Sequence, residues 1–426
     1  MDDDAPPAAR SREILRHPAF AFFWTATTLR AFGSTIAGVA FQVLIVTVVE
    51  ATPVQVGILN ALSVVPYLFL GLVVGAWMDR WRRQRALVVT TIGRTLVLAL
   101  VPILVVTGVL DFWALAAVTL VLGVLTLFGD SAAQPLLPRL VPRASLPAAN
   151  ARLGQSQTVA QTAGPAIGGA LLSLVGVPIL FVIDAVIAAI AAVLQSRIVV
   201  SEAKAPSRAA GRHVGHEIAQ GLRYTYRHPT LRPLAISIHV WFLGNSIVAT
   251  AFVVFALREL ALPAWAYGVA LGLGGVGGFT GAVVAPRLGV RFGAGRAILL
   301  GRVLVVLPWA ALALVPFSPG NGVGVVLAVV SAAQFVYGLA MGIEDTNDIS
   351  YRQAVAPDRI QGRMNATIRT VNRSVFFAGA LLAGVLMTSL GLPATLGIGA
   401  GLFVLAALVI ALSPLRGARH GGASRG

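Results

Sequence analysis

The chain has 426 residues, 57% of them hydrophobic and only 11% charged, with a mean hydropathy of +0.85. A soluble globular protein carries about a quarter charged residues, so this composition excludes that class and fits a chain crossing a bilayer many times. The formal net charge is +16, nearly all from arginine, and the arginines cluster briefly between apolar runs, as membrane topology requires and a nucleic-acid surface does not. With no cysteine, disulfides, thiol catalysis and cysteine-ligated metals are excluded as well.

A crossing helix needs about 20 apolar residues. The opening segment 1–18 is polar, carries Arg10, Arg12 and Arg16, and does not have the pattern of a cleavable signal peptide. The first apolar run, 19–49, contains Arg30 and Gln42. Arg30 lies about ten residues in, roughly 15 Å deep at 1.5 Å per residue, too deep to reach the surface easily. It is therefore expected to face a central cavity, as a substrate contact or as counter-ion to a carboxylate, or else to make a structural interhelix pair. The second run, 54–78, holds Tyr67 and ends in GAWMDRWRRQR, Gly75 to Arg85. Runs three and four, 86–109 and 112–133, carry Arg94 and, near the inner end, Asp130. Runs five and six, 154–175 and 178–198, are separated only by Gly176, Val177 and Pro178, and the sixth carries Asp184.

A polar connection, 199–232, follows. Its Ile218, Leu222 and Tyr226 recur at every fourth position, which suits a short amphipathic helix on the membrane surface; an ordinary linker is the alternative. The second set of runs covers 233–257, 265–286, 297–317, 322–345, 367–389 and 392–413. Glycines crowd the eighth run at 272, 274, 275, 277, 278 and 281, a spacing that lets helices approach closely. No Walker-type lysine follows them, so they are not a phosphate loop. Arginines mark every even-numbered connection and both ends, while the odd-numbered ones hold Arg258 alone. That asymmetry places both termini in the cytoplasm. The expected fold is all-α and integral to the membrane. It has twelve transmembrane helices in two pseudo-symmetric six-helix bundles, 19–198 and 233–413. A cytoplasmic loop at 199–232 joins them, and 414–426 is a cytoplasmic tail.

The two sets are related. At a shift of 215 residues Asp130 meets Asp345, Pro142 meets Pro357, Asn150 meets Asn365, and Gly164 and Gly169 meet Gly379 and Gly384. GRTLVL at Gly93 and GRVLVVL at Gly301 match at a shift of 208. Duplicated halves put a binding site near the midplane where they meet, and rocking of the halves gives alternating access.

These features resemble the major facilitator superfamily over nearly the whole chain. Gly75-x-x-x-Asp79-Arg80-x-x-Arg83 is similar to the family's loop motif after the second span, although Arg82 replaces its usual glycine. Gly164-Pro165-x-x-Gly168-Gly169 resembles the core of the exporters' antiporter motif, with Ala160 where a further glycine is usual. EIAQGLRYTYRHPTLR and APDRIQGRMNA resemble the branch of macrolide-efflux and siderophore-exporter proteins. The resemblance implies a secondary transporter in the cell inner membrane, a monomer exchanging protons for small amphipathic organic compounds. A narrow-substrate metabolite or siderophore exporter is the alternative within transport, and a non-transporting sensor the alternative outside it. It also implies that Asp79 latches onto the inner end of the eleventh span, which here carries Arg369.

An ionisable residue inside a membrane is a functional candidate by default. Gly75, Asp79, Arg80 and Arg83, with Glu344, Asp345, Arg369 and Arg373, form the expected cytoplasmic gate. Arg369 and Arg373 share a helix face at i, i+4, opposite Glu344, Asp345 and Asp348. Asp130 and Asp184 are the candidates for proton coupling, since protonation weakens an ion pair, and fixed structural pairs are the alternative. Arg30, Gln42, Tyr67, His239, Trp241, Asn245, Gln334 and Tyr337 are the candidate lining of a substrate cavity, as polar and aromatic anchors in an apolar wall. Neither a metal centre nor a catalytic constellation is visible, so no cofactor is expected and the chain is not read as an enzyme.

Overall fold

The computed structural model describes residues 17–78, 81–200, 214–315 and 322–419, without the side chains of residues 72, 75, 76, 214–218 and 358. Helix α1 spans Pro18–Val43 and runs into a π-helical turn, Leu44–Val48. Three short helices follow: α2 Pro53–Leu62, α3 Val65–Phe69 and α4 Gly71–Met78. Then come α5 Arg83–Val106, α6 Phe112–Ala133, α7 Leu137–Leu140 and the long α8 Leu146–Ser196. Beyond the central connection lie α9 Val214–Arg227, α10 Leu231–Val254 with a second π turn at Phe255–Glu259, and α11 Ala264–Phe292. The chain continues through α12 Ala294–Leu304, α13 Val306–Leu314, α14 Val323–Val355, α15 Asp358–Leu390 and α16 Leu392–Ala411.

Among the described residues ten helices, not twelve, are long and apolar enough to cross a membrane, with α12 and α13 together forming one of them, Ala294–Leu314. The expectation of twelve helices in two six-helix bundles is corrected accordingly. Two local features account for the difference. The apolar run at 54–78 is cut into α2, α3 and α4, none long enough to cross. At the first cut the Ser63 hydroxyl donates to the Asn60 carbonyl at 2.6 Å, and Pro66 has no N–H to offer Leu62. The runs expected as spans five and six form one segment, α8, of 51 residues, interrupted only at Gly176 with φ 77° and ψ 172°. Only glycine adopts that backbone without strain. Gly391, its partner at a shift of 215, has φ 81° and ψ 170° and there separates α15 from α16.

The chain divides into two units, and the division does not follow the two expected bundles. Unit 1 comprises residues 1–44 and 65–210, and unit 2 comprises 45–64 and 211–426. The C-terminal end of the first span and all of α2 thus belong with the second half of the sequence. In unit 1, a core of Phe20, Leu87, Leu136, Val141 and Ala149 gathers the ends of α1, α5 and α8. Unit 2 has Leu231, Ile298, Tyr351, Ala356 and Met364 in a core of its own. These are the same positions shifted by 211 or 215, so the duplication extends to packing. It extends to the π turns as well: each ends a helix and precedes a non-glycine residue at positive φ, Glu50 and Ala261.

Glycine sets the closest helix contacts in unit 2. A Cβ on Gly274 would lie 3.3 Å from the Gln334 carbonyl, and one on Gly277 or Gly281 would collide with the backbone of α14. Likewise α2 lies on α15, where a Cβ on Gly384 would come within 2.8 Å of the Val54 Cα. The expected amphipathic helix in the central connection is present as α9. It is clamped to α15 by Arg363, which donates to Gln220, and Tyr224 donates to the Val355 carbonyl at 3.3 Å. His228 joins α9 to α10: its Nδ1 accepts the N–H groups of Thr230 and Leu231, both at 3.3 Å. Burial lowers the His228 pKa, which keeps that lone pair available.

Gly57→Ala places a methyl 2.5 Å from the Ala380 carbonyl, whereas Gly38→Ala meets open space in mid-helix. Thermal unfolding in detergent should show Gly57→Ala destabilised by about 1–3 kcal/mol. Gly38→Ala should be neutral or gain up to about 1 kcal/mol.

Candidate functional site

Among the described residues of unit 1, Arg30 and Arg94 each form an ion pair. Arg30 on α1 donates through Nη2 to Asp130 Oδ1 of α6 at 3.2 Å, and the Tyr67 hydroxyl donates to the other carboxylate oxygen at 3.1 Å. Asp130 remains half-exposed. Arg94 pairs with Asp184 at 3.3 Å, and Asp184 is 2% exposed. Asp130 therefore takes Arg30 rather than Arg94, while Asp184 reaches back across to α5. A void of about 10 Å³ is lined by Arg30, Arg94, Thr90 and Thr91, so the two arginines converge on one polar spot. The structure accordingly joins three of the expected residues, Arg30, Tyr67 and Asp130, while Asp184 is held apart from them by Arg94.

The Gly164–Gly169 stretch faces α1. A Cβ on Gly168 would stand 2.7 Å from the Ile36 carbonyl, and one on Gly164 would collide with Thr35. These glycines let α8 and α1 touch backbone to backbone. Gln42 is partly buried, and its Oε1 has no hydrogen-bond partner. Gly75 lies in α4 and Arg83 opens α5, while Asp79 and Arg80 fall outside the described residues.

Unit 2 contains a cavity of about 540 Å³. Trp241 of α10, Arg302 of α12, the acidic stretch of α14 and the basic stretch of α15 line it. Two ion pairs form its frame. Arg302 Nη2 meets Glu344 Oε1 at 2.7 Å, with both side chains almost wholly buried. Arg352 Nη2 meets Asp348 Oδ2 at 2.6 Å, one helical turn away, and Arg352 Nη1 donates to Asn365 Oδ1 of α15 at 3.0 Å. The Arg302 guanidinium also stands 5.5 Å over the Trp241 ring, a cation–π contact in a desolvated setting. Buried polar atoms without partners surround this frame: Trp241 Nε1, Glu344 Oε2, Asp348 Oδ1, and Nε and Nη1 of Arg302.

Of the expected gate residues, Glu344, Asp345, Arg369 and Arg373 all line this one cavity, together with Trp241 from the expected substrate set. The carboxylates do not take Arg369 as their partner; Glu344 takes Arg302 and Asp348 takes Arg352. His239 stands behind the wall. Its Nδ1 is 2.7 Å from Oδ1 of Asn372, which lines the cavity, and its Nε2 is 2.7 Å from the Tyr226 hydroxyl of α9. With Asn372 oriented as assigned, Nδ1 carries the proton and Nε2 accepts from tyrosine. Asn245 and Tyr337 bond each other at 2.7 Å away from the cavity, and Gln334 is buried against α11. Arg352, Gln353, Gln361 and Asn365 also line the cavity, though sequence reasoning did not select them. Arg352 had a signal, since it is placed i, i+4 from Asp348.

Removing one partner of a buried pair strands the other charge. Arg302→Met should therefore destabilise the protein by about 3–5 kcal/mol in detergent unfolding. The double variant Arg302→Met/Glu344→Gln should recover most of that loss, and a single variant as stable as the parent would contradict the pairing.

Comparison with known proteins agrees with this architecture. The profile of the transmembrane secretion effector family, a group of major facilitator transporters, matches residues 11–423. An uncharacterised MFS-type transporter, y4rN, of Sinorhizobium fredii is 27% identical over 388 residues, covering 88% of this chain and 90% of its own. The multidrug efflux pump Tap of Mycolicibacterium fortuitum is 26% identical, with 94% and 97% covered. Tap of Mycobacterium tuberculosis is 28% identical, with 90% of each covered. Among solved structures, a mutant of the nucleoside transporter NupG superposes with a TM-score of 0.74 at 13% identity, covering 92% of this chain and 99% of that one. A bacterial homologue of the iron transporter ferroportin, in its inward-facing state, gives 0.70 at 17% identity, with 93% and 98% covered. At such identities these structures establish the fold alone. The profile match spans nearly the whole chain, and the chain belongs to the transmembrane secretion effector family of the major facilitator superfamily, a multi-pass membrane transporter rather than an enzyme.

Proposed function

We propose that this protein is a proton-coupled exporter of small amphipathic organic compounds, acting by alternating access as a monomer in the cell membrane with both termini in the cytoplasm. The observation that carries the reading is the cavity of about 540 Å³ in unit 2, where Trp241, Phe242 and four aliphatic side chains share the wall with charged and amide groups. That combination suits organic ligands of modest size. The similarity to pumps named for multidrug efflux supports the direction of transport and the compound class. So does the resemblance of the α9 and α15 entry sequences to the macrolide-efflux and siderophore-exporter branch.

Coupling is assigned to Asp130. It is the half-exposed carboxylate of unit 1, and it holds Arg30 and Tyr67 at once. A proton on Asp130 removes the charge that holds Arg30 and so loosens α1 from α6. Asp184, enclosed with Arg94, is read as the fixed counterpart. Alternation is assigned to residues 45–64, which continue from α1 yet group with unit 2. Arg258 pins them by donating to the Val46 carbonyl at 2.8 Å, and Asn60 does so by donating to Thr250 at 3.3 Å. The Gly75–Arg83 loop is the matching latch on the cytoplasmic side.

Two measurements test this reading. In proteoliposomes with an imposed pH gradient, Asp130→Asn should reduce gradient-driven dye transport to background, with the protein still folded and inserted. Full activity in that variant would remove Asp130 from coupling. Because the chain has no native cysteine, the pair Asn60→Cys/Thr250→Cys can be oxidised cleanly. The cross-linked protein should stop transporting and recover on reduction. Undiminished transport while cross-linked would show that this contact stays closed throughout the cycle.

A further inference from the structure

The charges lining the unit 2 cavity do not cancel locally. On α14, Glu344 is committed to Arg302 and Asp348 to Arg352, so the residual charge of that wall is Asp345. On α15, the charged lining residues are Arg369 and Arg373. Asp345 and Arg369 are both exposed and line the same cavity, yet among the described residues neither makes an ion pair or a hydrogen bond. Opposite charges sharing a concave, partly desolvated space attract strongly unless geometry holds them apart. Here each is fixed to a separate helix, and those helices are tied by the Arg352–Asn365 bond.

On α14 the unpartnered atoms are the acceptors Glu344 Oε2 and Asp348 Oδ1 and the donor Arg352 Nε, and the Trp241 indole N–H, on a side chain only 8% exposed, lacks an acceptor. Asn372 has its Oδ1 occupied by His239, which leaves its amide N–H groups as the remaining donors. Asp345 with the free oxygens of Glu344 and Asp348 thus offers negative charge and acceptors, while Arg369, the Trp241 N–H and the Asn372 amide offer positive charge and donors.

We propose that this cavity takes an amphoteric molecule, with its protonated amine against Asp345 and its carboxylate or carbonyl edge against Arg369. The proposal rests on the reading of the cavity as the exporter's binding site, and it narrows the ligand class from amphipathic compounds in general to those carrying both polarities. A lone cation would satisfy Asp345 but leave Arg369, the Trp241 N–H and the Asn372 amide without acceptors. A lone anion would leave Asp345 unmatched. His239 then becomes a positioning residue, since it fixes which edge of Asn372 meets the ligand.

The test uses the purified full-length protein and three probes of one shape at neutral pH: phenylalanyl-phenylalanine, its C-terminal amide and its N-acetyl form. These are respectively zwitterion, cation and anion. Binding is read by titration calorimetry in detergent. The zwitterion should bind about fivefold more tightly than either singly charged form, the gain expected of one partly exposed charge pair. Asp345→Asn should bring the zwitterion down to the level of the N-acetyl form, and Arg369→Gln to the level of the amide. Equal binding of zwitterion and amide by the parent protein, indifference to Arg369→Gln, or no binding of any probe would overturn the proposal. Dye transport by the same preparation separates this result from the broader reading. Charge-selective binding without any transport would remove the exporter and keep the amphoteric site. Dye transport without charge selectivity would do the reverse.

Discussion

The cost of holding charge away from water governs this molecule. A carboxylate or guanidinium removed from water loses several kcal/mol even after relaxation, so it must be paired, hydrogen-bonded or left facing a cavity. Arg302 and Glu344, almost wholly buried, illustrate the first solution. Asp345 and Arg369 illustrate the last. Once Arg302 is fixed on α12 and Glu344 on α14, the approach of α11 to α14 through Gly277, Gly281, Gly338 and Gly342 closes the remaining side of unit 2. The cavity is what these constraints leave open.

The same rule operates differently in the two halves. In unit 1 the repeat-related aspartate, Asp130, pairs with an arginine of α1 and stays half-exposed. In unit 2 its counterpart Asp345 goes unpaired: the position equivalent to Arg30, at the shift of 211, is Trp241, and Arg302 on α12 is taken by Glu344. Duplication supplied equivalent backbones, as the cores, the π turns and the Gly176 and Gly391 geometries attest. Divergence in a few charged positions then gave the halves different electrostatic tasks.

Much of this is legible in sequence, for identifiable reasons. Apolar runs, arginine asymmetry and the shift of 215 residues depend on composition along the chain, which needs no tertiary information. Glu344, Asp345, Arg369 and Arg373, expected as one cluster because adjacent spans carry them, line one cavity. Their partners were not legible. Which arginine meets which carboxylate depends on helix rotation and depth, and an apolar run does not encode rotation. The count of crossing helices failed where local chemistry intervened. Ser63 and Pro66 break one run, and two others meet in one segment whose single non-helical residue is Gly176. Residues 45–64 group with the second half of the sequence, where Gly57 and Gly384 let α2 and α15 meet closely.

That last assignment changes the mechanics of the polypeptide. The chain passes between its two units three times, at 44–45, 64–65 and 210–211. The long central connection is therefore only one of three covalent ties. The first tie runs through unbroken helix, since α1 continues into its π turn without a loop. The second lies in the turn at Ser63 and Val64, between α2 and α3. A rigid rod and a bent elbow lie side by side in sequence, only 20 residues apart. A continuous helix resists bending and a two-residue turn does not, so the two ties differ in stiffness although they stand so close in the chain.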